Sequence, residues 1–170
     1  MSTLHVCPLS RLASTVALTG ASHIVTLINM GTPVERPASI PVSRHLFIGV
    51  SDITEPLEGH VLPGEEHVTR LLDFVHGWER EKPLVVHCYA GISRSTAAAF
   101  ITACALSPTR DEQAIAETLR RASPTATPNP RLVATADALL GRDGRMVAAI
   151  ASIGRGAEAF EGEPFMLPLA

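Results

Sequence analysis

Val85-Val86-His87-Cys88-Tyr89-Ala90-Gly91-Ile92-Ser93-Arg94-Ser95 is the stretch from which the rest of the chain can be read. Pro83 precedes a short apolar run, Leu84 to His87, which reads as a buried strand. From Ser93 to Leu106 the residues are small or apolar apart from Arg94, which reads as a helix buried on most sides. A thiol therefore stands at a strand end, five residues follow, and an arginine opens a helix. If those five residues wrap into a nest, their backbone N–H groups converge on one point, reinforced by the positive end of the helix. That field favours the Cys88 thiolate, since thiols at helix N-termini fall to a pKa of roughly 3.5–7.5. Arg94 adds a planar fork able to hold two oxygens of a phosphoryl group. Gly91 gives the backbone a conformation barred to other residues, and Ser95 puts a hydroxyl within reach of the thiolate. The whole suits an oxyanion with a central tetrahedral atom.

Outward from this stretch, strands alternate with helices. Leu4 to Leu9 reads as a first strand, Arg11 to Leu18 as a helix ending at Gly20, and His23 to Ile28 as a buried strand that turns at Asn29-Met30-Gly31. A loop from Gly31 to Pro41 leads to a strand at Arg44 to Val50. Val68, Leu71, Leu72, Val75 and Trp78 then share one face of a helix from about Gly64 to Arg80. Thr109-Arg110-Asp111-Glu112 reads as a capping box opening a helix with Ile115 and Leu119 inward. Ser123 to Pro130 is loop, and Leu132 to Leu140 and Met146 to Ile153 are helical around a break at Gly141 to Gly144. The expected fold is α/β, a central, mostly parallel β-sheet flanked by α-helices, with ligands beyond the carboxyl ends of the strands. With no internal repeat or long linker, residues 1–170 read as one domain. Its tail from about 157 to 170, with Phe160, Phe165, Met166 and Leu167, is expected to be docked or mobile.

Composition narrows the function. Lys plus Arg is 14 against 17 Asp plus Glu, a net charge of −3, which argues against nonspecific nucleic-acid binding. All basic residues but Lys82 are Arg, and most are scattered, so this is a bias of the chain rather than an anion-binding tract. Arg142-Asp143-Gly144-Arg145 and Gly154-Arg155-Gly156 read as helix ends and turns. The charge-free run after Leu12 is interrupted by Thr19-Gly20, Ser22-His23 and Thr32-Pro33, and Ser95 to Thr109 falls short of the ~20 residues of a membrane span. The apolar part of Met1 to Ala21 is too short and too diluted for a leader, and a cytoplasmic protein is expected. Cys7, Cys88 and Cys104 cannot all pair, which fits a reducing compartment. Cys104 lies roughly 15 Å along the helix from Arg94, too far to trap Cys88. Cys7 reads first as a small buried apolar residue, with a Cys7–Cys88 disulfide as the lesser reading. His5 and Cys7 lack the further ligands a metal site needs. His23, His45, His60, His67 and His76 read as packed or solvated, His60 at a pocket rim.

His-Cys-x5-Arg-Ser, with glycine three residues after the cysteine, resembles the signature of the cysteine-dependent protein tyrosine phosphatases. Ala90-Gly91-Ile92-Ser93-Arg94-Ser95 looks most like their small dual-specificity branch. The likeness in order of elements runs from His23 to Asn129 and leaves out the tail after Arg131. It implies a tyrosine-phosphatase-like fold and hydrolysis of phosphomonoesters through a phosphocysteine on Cys88. The amides of Tyr89, Ala90, Gly91, Ile92 and Ser93, with Arg94, would hold the phosphate oxygens, and His87 would orient the loop and tune the thiol. Ser95 would stabilise the departing thiolate. No metal and no cofactor is implied, because amides and Arg94 supply the charge complement. The family's acid is an aspartate on an upstream loop, which points to Asp52 after the strand ending at Val50, with Glu55 and Glu58 as substitutes. Asn129, in Thr127-Pro128-Asn129-Pro130, resembles the Pro-Asn that braces the phosphate loop in dual-specificity enzymes.

The loop carries no Lys or Arg, unlike lipid phosphatases of the superfamily, so a singly phosphorylated substrate is expected, a phosphorylated protein or small phosphomonoester, phosphotyrosine first. No segment before Cys88 resembles the aromatic recognition loop of the larger tyrosine-specific enzymes, which implies a shallow pocket. Two other readings stand beside this one: a noncatalytic phosphate-binding module that keeps the fold, and a rhodanese-like sulfurtransferase, whose loops usually lack the Gly-x-Ser-Arg-Ser ending. Oligomeric state is not legible.

Overall fold

The computed structural model describes residues 2–169. Five strands and six α-helices follow one another as β1 (Thr3–Pro8), α1 (Leu12–Thr19), β2 (His23–Ile28), β3 (His45–Gly49), α2 (Glu65–His76), β4 (Leu84–Cys88), α3 (Arg94–Leu106), α4 (Glu112–Ala122), α5 (Pro130–Leu139), α6 (Arg145–Ile153) and β5 (Phe165–Pro168). The sheet order is β3-β2-β4-β1-β5, parallel throughout except that β5 pairs antiparallel with β1. The tail from residue 157 thus reaches the sheet and contributes an edge strand.

β2 and β4 are buried at every residue, as strands covered on both faces must be. Alternation decides which layer each side chain joins. Leu4, Val6, Val25, Leu27, Leu84 and Val86 pack on one face against α2 to α6, around Phe100, Ile115, Leu119 and Leu132. Cys7, Ile24 and Val85 point to the other face, covered by Leu12 and Val16 of α1 and by Ile40 of the following loop. Phe100 is completely enclosed, and truncation to Ala should cost about 3–5 kcal/mol. α3 is buried nearly throughout because it lies between the sheet and α2, α4 and α5. No helix among the described residues is long and apolar enough to cross a membrane.

Two boundaries differ from the sequence reading. Trp78 is not on α2, which stops at His76 with Gly77 as its cap; the indole is nevertheless buried, and its Nε1 donates to the Lys82 carbonyl at 3.0 Å. The cap of α4 is Asp111, not Thr109. Residues 107–110 are drawn into a turn by the Arg110 N–H on the Ser107 carbonyl at 3.0 Å, so the Asp111 carboxylate takes the Gln113 amide at 3.0 Å. Glu112 is then the first helical residue and is turned inward.

Candidate active site

Cys88 ends β4, the middle strand of the sheet, and the helix it feeds begins at Arg94, so Tyr89 to Ser93 must turn sharply in between. Gly91 makes the turn possible. Its φ is +71°, and a Cβ there would lie 2.8 Å from the Pro8 nitrogen and 2.9 Å from the Cys7 carbonyl carbon. The loop is held by its carbonyls, which face outward. His87 Nδ1 donates to the Cys88 oxygen (3.0 Å), Leu9 N to Tyr89 (3.1 Å), Gly162 N to Ala90 (2.8 Å), Thr127 N to Ile92 (2.9 Å) and Asn129 N to Ser93 (3.2 Å). The amides are left without protein carbonyls. Gly91 N donates to Cys88 Sγ at 3.3 Å, while the amides of Tyr89, Ala90, Ile92, Ser93 and Arg94 meet no acceptor among the described residues. A ring of unpaired N–H groups around a sulfur at a helix N-terminus is a receptacle for an anion.

Arg94 completes it. The side chain is buried, and Nη1 donates to Asn29 Oδ1 at 2.5 Å and to the Val50 carbonyl at 2.9 Å. Both anchors engage the same nitrogen, from the carboxyl ends of β2 and β3. Nε is buried with no partner at all, the one such side-chain atom among the described residues. The guanidinium is thus fixed on one edge and unsatisfied on another, and a buried unsatisfied donor is costly unless a ligand meets it.

The Cys88 thiol donates to Ser95 Oγ at 3.1 Å, which gives the thiolate a hydroxyl donor when the proton leaves. His87 is wholly buried. A carbonyl only accepts, so Nδ1 carries the proton toward Cys88, and Nε2 takes the Thr26 hydroxyl at 2.7 Å. Thr26 in turn accepts from His45 Nε2 at 2.7 Å, and the chain of bonds is satisfied from β3 to the thiol loop. Burial pushes His87 down to about 4, although the Cys88 carbonyl bond opposes this and His45 adds to it. His87 is neutral at pH 7, with both ring nitrogens engaged by the protein. Burial pushes the thiols of Cys7 and Cys104 up to about 12, so both are inert near neutral pH.

Asp52 is exposed on the loop after β3 and stands over the cysteine loop. Ser93 Oγ donates to its Oδ1 at 2.6 Å and Asn129 Nδ2 to the same oxygen at 2.9 Å, which leaves Oδ2 without a protein donor. Asn129 is buried, caps α5 through Arg131 N (3.0 Å) and Leu132 N (3.1 Å), and also donates to the Ile53 carbonyl at 3.2 Å. One residue therefore ties the Asp52 loop, the cysteine loop and α5 together. Arg131 holds the next stretch through the carbonyls of Thr54 (3.3 Å) and Pro63 (2.7 Å). Glu55 and Glu58 are exposed and make no hydrogen bond or ion pair among the described residues. A cavity of about 630 Å³ opens beside Asp52, Ile92, Ser93 and Thr127, its far wall formed by residues 155–159.

The structure brings Cys88, His87, Arg94, Ser95, Asp52 and Asn129 to one end of the sheet. It adds Asn29, Thr26 and His45, which sequence reasoning left as turn, strand interior and packed histidine. Their signal lay in strand order, since β2 is the immediate neighbour of β4, and one sequence does not display strand order. No group of three or more metal-ligating side chains occurs among the described residues.

A family model described as protein-tyrosine phosphatase matches residues 58–127, which contain the cysteine loop. In structure the chain is similar to DUSP15, with a TM-score of 0.65 at 19% identity over 92% of this chain and 94% of that one. It is also similar to human DUSP28, with a TM-score of 0.61 at 19% identity over 82% and 94%. A human tyrosine phosphatase-like serine/threonine/tyrosine-interacting protein gives 0.61 at 18% over 82% and 92%. The likeness in fold thus reaches beyond the span from His23 to Asn129 expected from the sequence. No curated protein matches this chain in sequence.

Proposed function

We propose that this chain, a member of the cysteine-dependent protein-tyrosine phosphatase superfamily with the dual-specificity-like fold, hydrolyses phosphomonoesters through a phosphocysteine on Cys88. One observation carries the reading: in the loop between Cys88 and Arg94 the Gly91 amide meets Cys88 Sγ, the remaining amides have no protein acceptor among the described residues, and Arg94 Nε is buried without a partner. In the first step the thiolate forms an S–P bond while the bond from phosphorus to the leaving oxygen breaks. That oxygen takes a proton from Asp52, for which Oδ2 is the available atom. The equatorial oxygens are held by the loop amides and Arg94, in place before charge develops. In the second step water attacks phosphorus, gives its proton to Asp52, and the thiolate leaves onto the Ser95 hydroxyl and the Gly91 amide.

The loop's lack of Lys or Arg supports a singly phosphorylated group in the cradle, phosphotyrosine first. The test is hydrolysis of para-nitrophenyl phosphate by wild type and Cys88→Ser, with EDTA and reductant, from pH 5 to 8. The expected outcome is turnover that survives EDTA and disappears in the variant. Asp52→Asn should then lose about 10²-fold on an ester with a poor leaving group and much less on para-nitrophenyl phosphate; equal loss on both would move the acid to Glu55 or Glu58. Absence of turnover by reduced wild type, with phosphotyrosine binding retained, would favour the noncatalytic module.

A further inference from the structure

Beside the phosphate cradle the chain builds a second feature. After α6 the segment from Gly154 folds back across the cysteine loop before entering β5. Gly156 N donates to Thr127 Oγ1 at 3.0 Å, Ala157 N to the Pro124 carbonyl at 2.9 Å and Gly162 N to the Ala90 carbonyl at 2.8 Å. Glu161 takes the Ser10 hydroxyl at 2.9 Å. At Gly156 a Cβ would fall 2.5 Å from the Thr125 carbonyl, so the backbone is pressed against the loop before α5. The segment is therefore a fixed wall of the 630 Å³ cavity that opens beside Asp52 and Ser93.

Arg155 is the one cation on that wall. Unlike Arg94, Arg120, Arg131 and Arg142, whose guanidinium groups are engaged by protein acceptors, it makes no hydrogen bond or ion pair among the described residues. Glu158 lines the same wall without pairing to it. The surface continues past Arg155. A second cavity of about 320 Å³, mostly apolar, shares Thr127 and Arg155 with the first and is lined by Pro128, Pro130 and Ile150. A single phosphorylated ring seated in the cradle meets the Asp52–Ser93 side of the first cavity, whereas a longer ligand extends to the far wall, where Arg155 stands, and to the apolar surface beyond.

We infer that residues 154–159 form a substrate-recognition wall, and that Arg155 selects phosphopeptides with an acidic residue close to the phosphorylated one. The inference rests on the phosphatase reading and names its substrate class. An exposed guanidinium that lacks an internal partner, carried on a backbone tied down at Gly156 and Ala157, gains a charge-assisted contact with an incoming carboxylate, whereas a basic peptide residue meets like charge. Asp52 across the cavity and Glu158 on the same wall both repel a second acid, which restricts the acidic position to the immediate reach of Arg155.

The test uses phosphotyrosyl peptides carrying Asp, Ala or Lys at each position flanking the phosphoresidue, with para-nitrophenyl phosphate as a substrate too short to reach the wall. Wild type should favour Asp over Lys about tenfold in kcat/KM at one flanking position, mainly through KM. Arg155→Ala should erase that preference while turnover of para-nitrophenyl phosphate stays within twofold, and Arg155→Glu should turn it toward Lys. The same peptides titrated onto Cys88→Ser read the preference as binding. Turnover without an acid preference, or a preference unchanged in Arg155→Ala, overturns the inference. No turnover with the preference still present in Cys88→Ser binding overturns the phosphatase reading and leaves the recognition wall supported.

Discussion

Helix α3 has a buried arginine at each end, and the two are solved differently. Arg142, which sits by the C-terminal half, is as buried as Arg94 at the N-terminus, each 8% exposed. Arg142 meets Glu112 Oε1 at 2.9 Å and the Cys104 carbonyl at 2.9 Å, and Arg145 supports the same carboxylate at 3.2 Å. Burial pushes the Glu112 carboxyl up, but its own amide and the two arginines outweigh that and hold it below the usual carboxylate range. Arg94 has only neutral acceptors, both on Nη1, and Nε has none. A buried cation with a carboxylate is a structural strut. A buried cation held in place yet lacking a counter-charge is waiting for an anion from outside.

The largest test of that contrast is Arg94→Ala, expected to lower kcat/KM for para-nitrophenyl phosphate about 10³-fold, or ~4 kcal/mol, since a preorganised donor to the transition-state oxygens is lost. Its folding stability should change by less than about 1 kcal/mol, because the removed charge was uncompensated. Saturating phosphate or vanadate should stabilise wild type by about 2.7 kcal/mol at a hundredfold excess over Kd, and the variant hardly at all. The reverse holds for Arg142→Ala. It strands Glu112 and should cost about 3 kcal/mol by denaturant titration, Arg145 sparing the rest, while the folded fraction keeps wild-type kcat. If Arg142→Ala lowers kcat and Arg94→Ala unfolds the protein, the comparison is broken.

The sequence makes the cysteine-loop end legible and leaves the strut dark. Cys88, Arg94 and Ser95 are contiguous, so their chemistry and spacing are visible without a fold. Asp52 was reached only through the family likeness, and Asn129 in the same way. Glu112 reads as the last residue of a capping box that starts at Thr109, and its burial against Arg142 depends on how α4 and α6 cross. Asn29 reads as a turn residue until β2 is known to lie beside β4. The strands themselves are readable to within a residue or so because each is a short apolar run bounded by turn residues, and β2 and β4 are buried on both faces. The tail was not, since β5 is a four-residue edge whose partner is at the other end of the chain.

The two ends also differ in how acid loosens them. His87 binds a proton only near pH 4 in the native protein, against 6.5 when unfolded. Between those values the unfolded state holds more protons, so stability rises with pH across the window and is lost as pH falls from 6.5 toward 4, by about 2–3 kcal/mol. Glu112 has a depressed native value, so its stabilisation is present above the unfolded value of 4.5 and is lost below it. Urea titrations from pH 7 to 4 should thus flatten in His87→Gln, whereas Glu112→Gln should keep the slope above pH 5 and stay destabilised throughout.

The smallest effect sharpens the contrast most, because it changes no charge. Asn29 Oδ1 and the Val50 carbonyl are what fix the Arg94 fork with its Nε unsatisfied. Asn29→Ala removes one of the two anchors and leaves the guanidinium, the thiol and every loop amide in place. A loosened fork loses the pre-paid orientation of a two-pronged contact, so kcat should fall about tenfold, or ~1.4 kcal/mol, while Asn29→Asp should partly restore placement. The aspartate, however, supplies at Arg94 the counter-charge that Glu112 supplies at Arg142, and phosphate affinity should then drop as the cation is neutralised from within. A variant with raised stability, near-normal fork placement and weakened oxyanion binding would make one end of α3 resemble the other. If Asn29→Asp binds phosphate as tightly as wild type, the missing counter-charge is not what reserves Arg94 for its ligand.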